Sequence, residues 1–331
     1  MTKSPLTKLL SPPASATRKP LCANTAALWG TIYGAISAVG YTATNICLRS
    51  VTDCDPVWVS CMKTIPTVVG VAPWLIVRWS RGERVFPPVP IVATLLAVGL
   101  LGQFGGNVLF QWALGIIGIA LTVPLCMGMI IIASAILGRI LLQESVTKLT
   151  ALALAVLLAA IWILSLGAHG ASESISNLGA ANPWLVTAAV TAGCVSGLAY
   201  AVLGVTIRKA VLGVSTVSAT TFCVALVGLI SLTPLTIYRI GIEGMRETTR
   251  GDFGMMLLAG IFNVIAFLAL TRALQITSLV RVNALNASQV AMASVAGIVL
   301  FQEQASPALT LGVALTVVGL LIMPRHKRVE E

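Results

Sequence analysis

IVATLLAVGLLGQFGGNVLFQWALGIIGIALTVPLCMGMIIIASAILGRILL (91–142) carries a single charge, Arg139, along its whole length. About 20 apolar residues cross the roughly 30 Å hydrocarbon core as a helix, so this stretch is long enough to cross twice. Membrane strands would alternate apolar and polar positions over ~10-residue segments; here apolar side chains face every direction. Comparable stretches run roughly over 27–48, 57–77, 91–111, 117–142, 149–168, 183–206, 215–237, 253–271, 278–301 and 307–323. A helix satisfies its own backbone in lipid. The sequence therefore predicts an all-α, polytopic integral membrane protein with ten transmembrane helices.

Composition agrees. Apolar residues make up 57% of the 331 and charged ones only 10%, against about 25% charged in soluble domains. The net charge of +10 reflects the Lys and Arg excess of cytoplasmic loops rather than a nucleic-acid partner. With the N-terminus inside and strict alternation, fifteen Lys and Arg fall inside and four (Arg49, Arg239, Arg246, Arg250) outside. That asymmetry places both termini in the cytoplasm of a multi-pass protein of the cell (inner) membrane. Residues 1–26, basic and rich in Ser and Pro, suit a disordered cytoplasmic tail or a transit peptide; 324–331 form a second tail. The seven cysteines contain no Cys-x-x-Cys pair and read as small apolar filler.

Identities recur at a separation of 159: Gly34/Gly193, Ser37/Ser196, Tyr41/Tyr200, Arg49/Arg208, Gln143/Gln302 and Glu144/Glu303. They link span 1 to span 6, and the end of span 4 to the end of span 9. In between, the register slips by one, pairing Ala113-Leu114 with Ala273-Leu274. Repeats of five spans enter the membrane in opposite directions, so 27–168 and 183–323 are expected to form two inverted five-helix repeats. Inverted repeats are characteristic of secondary transporters, which bind solute near the midplane between the halves.

Two segments carry a resemblance. FQWALGIIGIALTVPLCMGMIIIASAILGRILLQESVTKLTALALAVLLAAIWIL (110–164) and LALTRALQITSLVRVNALNASQVAMASVAGIVLFQEQASPALTLGVALTVVGLLIM (268–323) share an Ala-Leu pair, a small-residue helix ending in Glu, and a Gly- or Ala-rich final helix. In this they resemble the EamA-type members of the drug/metabolite transporter superfamily. The resemblance implies a ten-helix exporter or exchanger of amino acids, nucleosides or similar solutes. It does not choose among them, and the density of amides in span 9 departs from the family's pattern.

Polar groups in lipid are costly and turn inward. Span 1 carries Tyr33, Ser37, Tyr41 and Asn45 at four-residue intervals, one stripe along a helix. Span 6 repeats its middle as Ser196 and Tyr200. Span 3 carries Gln103, Asn107 and Gln111 beside Gly102, Gly105 and Gly106, which allow close helix approach. Span 8 offers Asn263, and span 9 offers Asn283, Asn286, Ser288 and Gln289. The substrate-cavity candidates are Tyr41, Asn45, Gln103, Asn107, Tyr200, Asn263, Asn283, Asn286 and Gln289, on spans 1, 3, 6, 8 and 9. The same groups are able to hydrogen-bond neighbouring helices instead. Lys63 and Arg281 are intramembrane cations that either face an anionic solute or snorkel to headgroups; the family often places a cation early in its second helix.

No Asp, Glu or His falls mid-span. This removes the usual proton relay, metal ligands and a general acid–base pair, and there is no P-loop. The expected protein is a secondary or facilitative carrier of small metabolites working by alternating access, with no cofactor and no enzymatic activity. Its expected partners are a small-molecule solute and the lipid bilayer, with a homodimer left open. Glu144 and Glu303 are expected to cap helix ends. The alternatives are an intramembrane enzyme acting on a lipid and a membrane sensor that transports nothing.

Overall fold

The computed structural model describes residues 23–144, 147–167, 183–213, 215–301 and 307–322. The two tails and Glu303 lie outside them. Helices α1 (Ala23–Arg49), α2 (Pro56–Ser80) and α3 (Val89–Leu101) lead into a seven-residue π-helix, Gly102–Val108. Then follow α4 (Leu109–Leu141), α5 (Lys148–Gly167), α6 (Pro183–Leu212), α7 (Val217–Glu247), α8 (Arg250–Ile276), α9 (Leu279–Asn286), α10 (Ser288–Phe301) and α11 (Pro307–Ile322).

Local chemistry sets the helix starts. Asp55 caps α2 by accepting from the Val57 and Trp58 amides at 2.9 and 3.1 Å, with Pro56 in the first turn. Proline there lacks a hydrogen that would go unused. Thr216, Thr249 and Ser278 cap α7, α8 and α9 in the same way. Breaks come from glycine. Gly118 (φ 70°) divides α4 into the end of one crossing and the whole of the next, and Gly241 (φ 66°) turns the end of α7 aside. Positive φ is costly for any residue with a Cβ.

Among the described residues, six helical stretches are long and apolar enough to cross a membrane: Pro56–Ser80, Val89–Ile119, Thr122–Leu141, Trp184–Leu212, Val217–Glu247 and Arg250–Ile276. The protein is thus an all-α, multi-pass bundle, and the ten expected spans are met by six. Each of the other four has a physical reason. α1 is 27 residues long but carries the polar stripe. The apolar parts of α5 and α11 are short. The ninth span is divided at Ala287 into α9 and α10. Trp79, Trp184 and Tyr238, all near helix ends, are 72, 83 and 87% exposed. Such rings would promote aggregation in water, and they suit a membrane–water interface.

Packing pairs α1 with α8, α4 with α6, α2 with α7, and α5 with α11. Small residues allow such approaches. A Cβ on Gly40 would stand 2.9 Å from Ala266 Cβ between α1 and α8, and one on Gly260 would stand 2.6 Å from Pro66 Cγ between α8 and α2. Ala113, Leu114, Ala273 and Leu274 are all fully buried. The six described cysteines are free thiols.

Candidate functional site: a polar cavity inside the bundle

One cavity opens among α1, α2, the π-helix, α4, α6, α7, α8, α9 and α10, with about 1150 Å³ of space between protein atoms. That figure includes space open to solvent. Tyr41 and Asn45 line it from α1, Gln103 and Asn107 from the π-helix, and Tyr200 from α6. Asn263 lines it from α8, Asn283 and Asn286 from α9, and Gln289 from α10. All nine residues singled out in the sequence therefore meet at one place, joined by Lys63. Arg281 is not among the lining residues; its guanidinium donates to Thr31 Oγ1 at 3.0 Å.

Asn107 is the hub. Its Oδ1 accepts from Lys63 Nζ at 2.6 Å and from the Tyr200 hydroxyl at 2.6 Å. Its Nδ2 donates to Gln103 Oε1 at 2.6 Å, and Gln103 Nε2 donates to the Val224 carbonyl at 3.1 Å. The π-helix carries both amides of this chain. Three glycines admit α6 against it: a Cβ on Gly102 would meet Leu203 at 2.8 Å, one on Gly105 would meet Ala199 at 3.2 Å, and one on Gly106 would meet Tyr200 at 2.7 Å. Gly228 leaves the space that Gln103 fills, since a Cβ there would lie 2.5 Å from the Gln103 amide.

The α9 and α10 amides spend part of their capacity on the protein. Asn286 Oδ1 accepts from Ser37 at 3.1 Å and from Gln289 Nε2 at 3.0 Å, and Asn283 Nδ2 donates to Ser134 at 2.6 Å. Both roles weighed for these residues, helix contact and cavity lining, are therefore present together. Tyr41, Asn45 and Asn263 instead make no side-chain hydrogen bond within the described protein and point their capacity at the cavity. Thr67, one turn beyond Lys63, lines the cavity with a buried hydroxyl that also lacks a protein partner.

The walls extend further than expected. Besides helices 1, 3, 6, 8 and 9 of the sequence reading, α2 contributes Lys63, Thr64 and Thr67. The second half of α4 contributes Cys126, Met127 and Ile130, and α7 contributes Val224 and Ala225. Thr67 lies four residues from Lys63, a spacing that places both on one helix face and was available in the sequence. Cys126 and Met127 sit in an unbroken apolar run that offers no such signal.

Below the cavity, the Arg208 guanidinium bonds the Glu144 carboxylate and the carbonyls of Leu274 and Thr277. The same carboxylate accepts from the Leu279 amide at 3.0 Å. Glu144 thus caps α9 as expected, and the cluster ties the ends of α4, α6 and α8 to the start of α9.

If the cavity holds water, cysteines replacing Asn107, Asn286 or Gln289 in a cysteine-free background should react with a membrane-impermeant thiol reagent. One replacing Leu158, which packs against the main apolar core, should not. Uniform silence would mean that the amides serve only as helix contacts.

A multi-pass helical membrane protein with a buried polar cavity is the class that fold and site define. Residues 187–324 match the EamA-like transporter family. The match is confined to the C-terminal domain, less than half of the chain, and supports a general role in moving small molecules across a membrane rather than an enzymatic one. No curated protein matches. Among solved structures 28 chains match. One, described only as a crystal structure of a protein, is 17% identical and covers 89% of this chain and 97% of its own, with a TM-score of 0.68. At that identity the likeness speaks to the fold alone.

Proposed function

We propose that the protein is a carrier of small metabolites, with amino acids, nucleosides and similar solutes as the classes to test, working by alternating access of two inverted five-helix halves. The observation that carries this reading is the cavity, where Tyr41, Asn45 and Asn263 offer uncommitted polar groups and Lys63 two spare donor hydrogens in the middle of an apolar bundle. The repeat is supported by its packing. Gly34 approaches Leu285, and Gly193 approaches Leu125, which is the same contact between the halves made once in each direction. Exchanging helices 1, 2, 3, 4 and 5 with 6, 7, 8, 9 and 10 also maps the α1–α8 pair onto the contact of α6 with the start of α4. In this reading all ten sequence spans cross the membrane, the shorter ones tilting little, and both termini are cytoplasmic.

No described carboxylate or histidine lines the cavity, so flux should follow the solute gradient or proceed by exchange. Solutes that raise the melting temperature of the pure protein, screened across amino acids, nucleosides and organic acids, should show counterflow in proteoliposomes. No pH or sodium gradient should be needed, and protonophores should leave the counterflow unchanged. Absence of counterflow for every binder overturns the carrier reading. Accumulation that requires a proton gradient overturns only the uncoupled mechanism. The orientation is checked with Cys54 as the sole cysteine, which an impermeant reagent should label from outside intact cells.

A further inference from the structure

Lys63 is the anomaly in the cavity. It is 5% exposed, it lines the cavity, and its one hydrogen bond goes to a neutral amide, Asn107. The ion pairs among the described residues are Arg78–Glu83, Arg208–Glu144 and Arg239–Asp55, and none involves Lys63. Among the described residues, no carboxylate lines the cavity. Taking a cation out of water is expensive unless an opposite charge and further hydrogen bonds meet it. An ammonium has three hydrogens to donate, and only one is used inside the protein. An intramembrane ionisable group in such a setting marks a functional site.

The groups nearest in the chain of contacts are donors too. The Tyr200 hydroxyl turns toward the same Asn107 oxygen, and Thr67 brings an unpartnered hydroxyl from the Lys63 face of α2. The wall also holds the amides and hydroxyls named above, interleaved with apolar side chains, Phe110, Ile130, Leu203 and Phe267 among them. Resting on the carrier reading above, we infer that the cavity takes a small solute bearing one carboxylate, which docks on Lys63 with its uncharged remainder against these neutral polar and apolar side chains. A single cation matches a single negative charge. The absence of a lining carboxylate disfavours a solute whose remaining part is a cationic amine, because that amine would be buried without a partner.

The test compares acids with their neutral amides on the purified full-length protein: benzoate with benzamide, 4-methylpentanoate with 4-methylpentanamide, and benzylamine as the cation. Ligands that bind the folded state raise its melting temperature by an amount that grows with the logarithm of 1 + [L]/Kd. The acids should reach a given shift at concentrations at least about tenfold lower than the amides, the scale of a charge-assisted hydrogen bond, and benzylamine should produce none. Lys63→Gln should abolish the preference and Lys63→Arg should keep it. Asn107→Asp guards against a merely misfolded variant. Its carboxylate would meet the Lys63 and Tyr200 donors while giving up the donation to Gln103 Oε1, so a variant that still melts cooperatively should lose the preference for acids. Equal effects of acids and amides, no effect of either acid, or a preference that survives Lys63→Gln or Asn107→Asp would overturn the inference. The measurement needs no flux. Failure here with counterflow intact removes the anion site and leaves the carrier, whereas selective binding without counterflow does the reverse.

Discussion

Gly197→Ala should destabilise the protein by about 1–3 kcal/mol, the range for forcing an extra methyl into a packed core, and should lower the yield of monodisperse material. A Cβ at this position would stand 2.4 Å from the Cys126 carbonyl oxygen and 2.6 Å from Met129 Cβ. The first of these is backbone in the middle of α4, so relief requires α4 and α6 to move apart as bodies. Alanine is a better helix former than glycine by about 1 kcal/mol, but that gain is smaller than the packing loss and accrues anywhere in a helix. Gly70, also inside a helix, isolates it. Nothing lies within 4 Å of a Cβ there, so Gly70→Ala should leave stability unchanged or raise it by a few tenths of a kcal/mol to 1 kcal/mol. Tyr200 follows Gly197 by less than one turn and reaches Asn107 at 2.6 Å. Separating α6 from α4 should therefore also disturb the cavity and lower flux. Equal melting temperatures for the two variants would show that α4 and α6 are not packed as described.

Much of the site was legible because its residues violate the surrounding chemistry. An amide or a lysine in an apolar helix stands out, and inward is the direction that satisfies it. That argument brought Tyr41, Asn107, Asn263 and Gln289 to the same cavity from separate helices. It gave no account of which amides are committed. Asn286 is bonded to Ser37 and Gln289 while Asn45 is not bonded at all, and this difference depends on helix rotation that no spacing reveals. The glycines were legible only as small residues. Gly118 ends a crossing with a positive φ, whereas Gly106 and Gly197 remain helical and serve as contact points; in the sequence all three are glycines among apolar neighbours. The division of the ninth span at Ala287 was hidden for a related reason. Alanine followed by serine gives no breaking signal. Arg208 was visible only as the counterpart of Arg49 in the repeat. Its partners come from segments far apart in the chain, the end of α4 and the turn between α8 and α9.

Arg208→Gln should have the largest cost of any single polar substitution outside the cavity. The side chains of Arg208 and Glu144 are each 12% exposed. The guanidinium also serves the Leu274 and Thr277 carbonyls at the end of α8, where helix geometry leaves carbonyls without partners. Removing one member of a buried ion pair costs about 3–5 kcal/mol, since the other is left charged and unmatched. In Arg208→Gln the Glu144 carboxylate would keep only the Leu279 amide. Glu144→Gln should cost less. Its neutral amide oxygen still accepts from Leu279, and Arg208 still has two carbonyl acceptors. The double variant should be no worse than Arg208→Gln alone, because no isolated carboxylate remains, and the non-additivity measures the coupling directly. Melting temperatures of the four proteins decide the matter. A ranking with Glu144→Gln the more damaging, or strictly additive effects, would mean that the helix cap and not the ion pair holds this end together. The consequence reaches the cavity because Leu274 is both a carbonyl partner of Arg208 and part of the lining. Loosening the cluster should therefore weaken binding of any solute that rests on that wall, even though Arg208 itself never meets it.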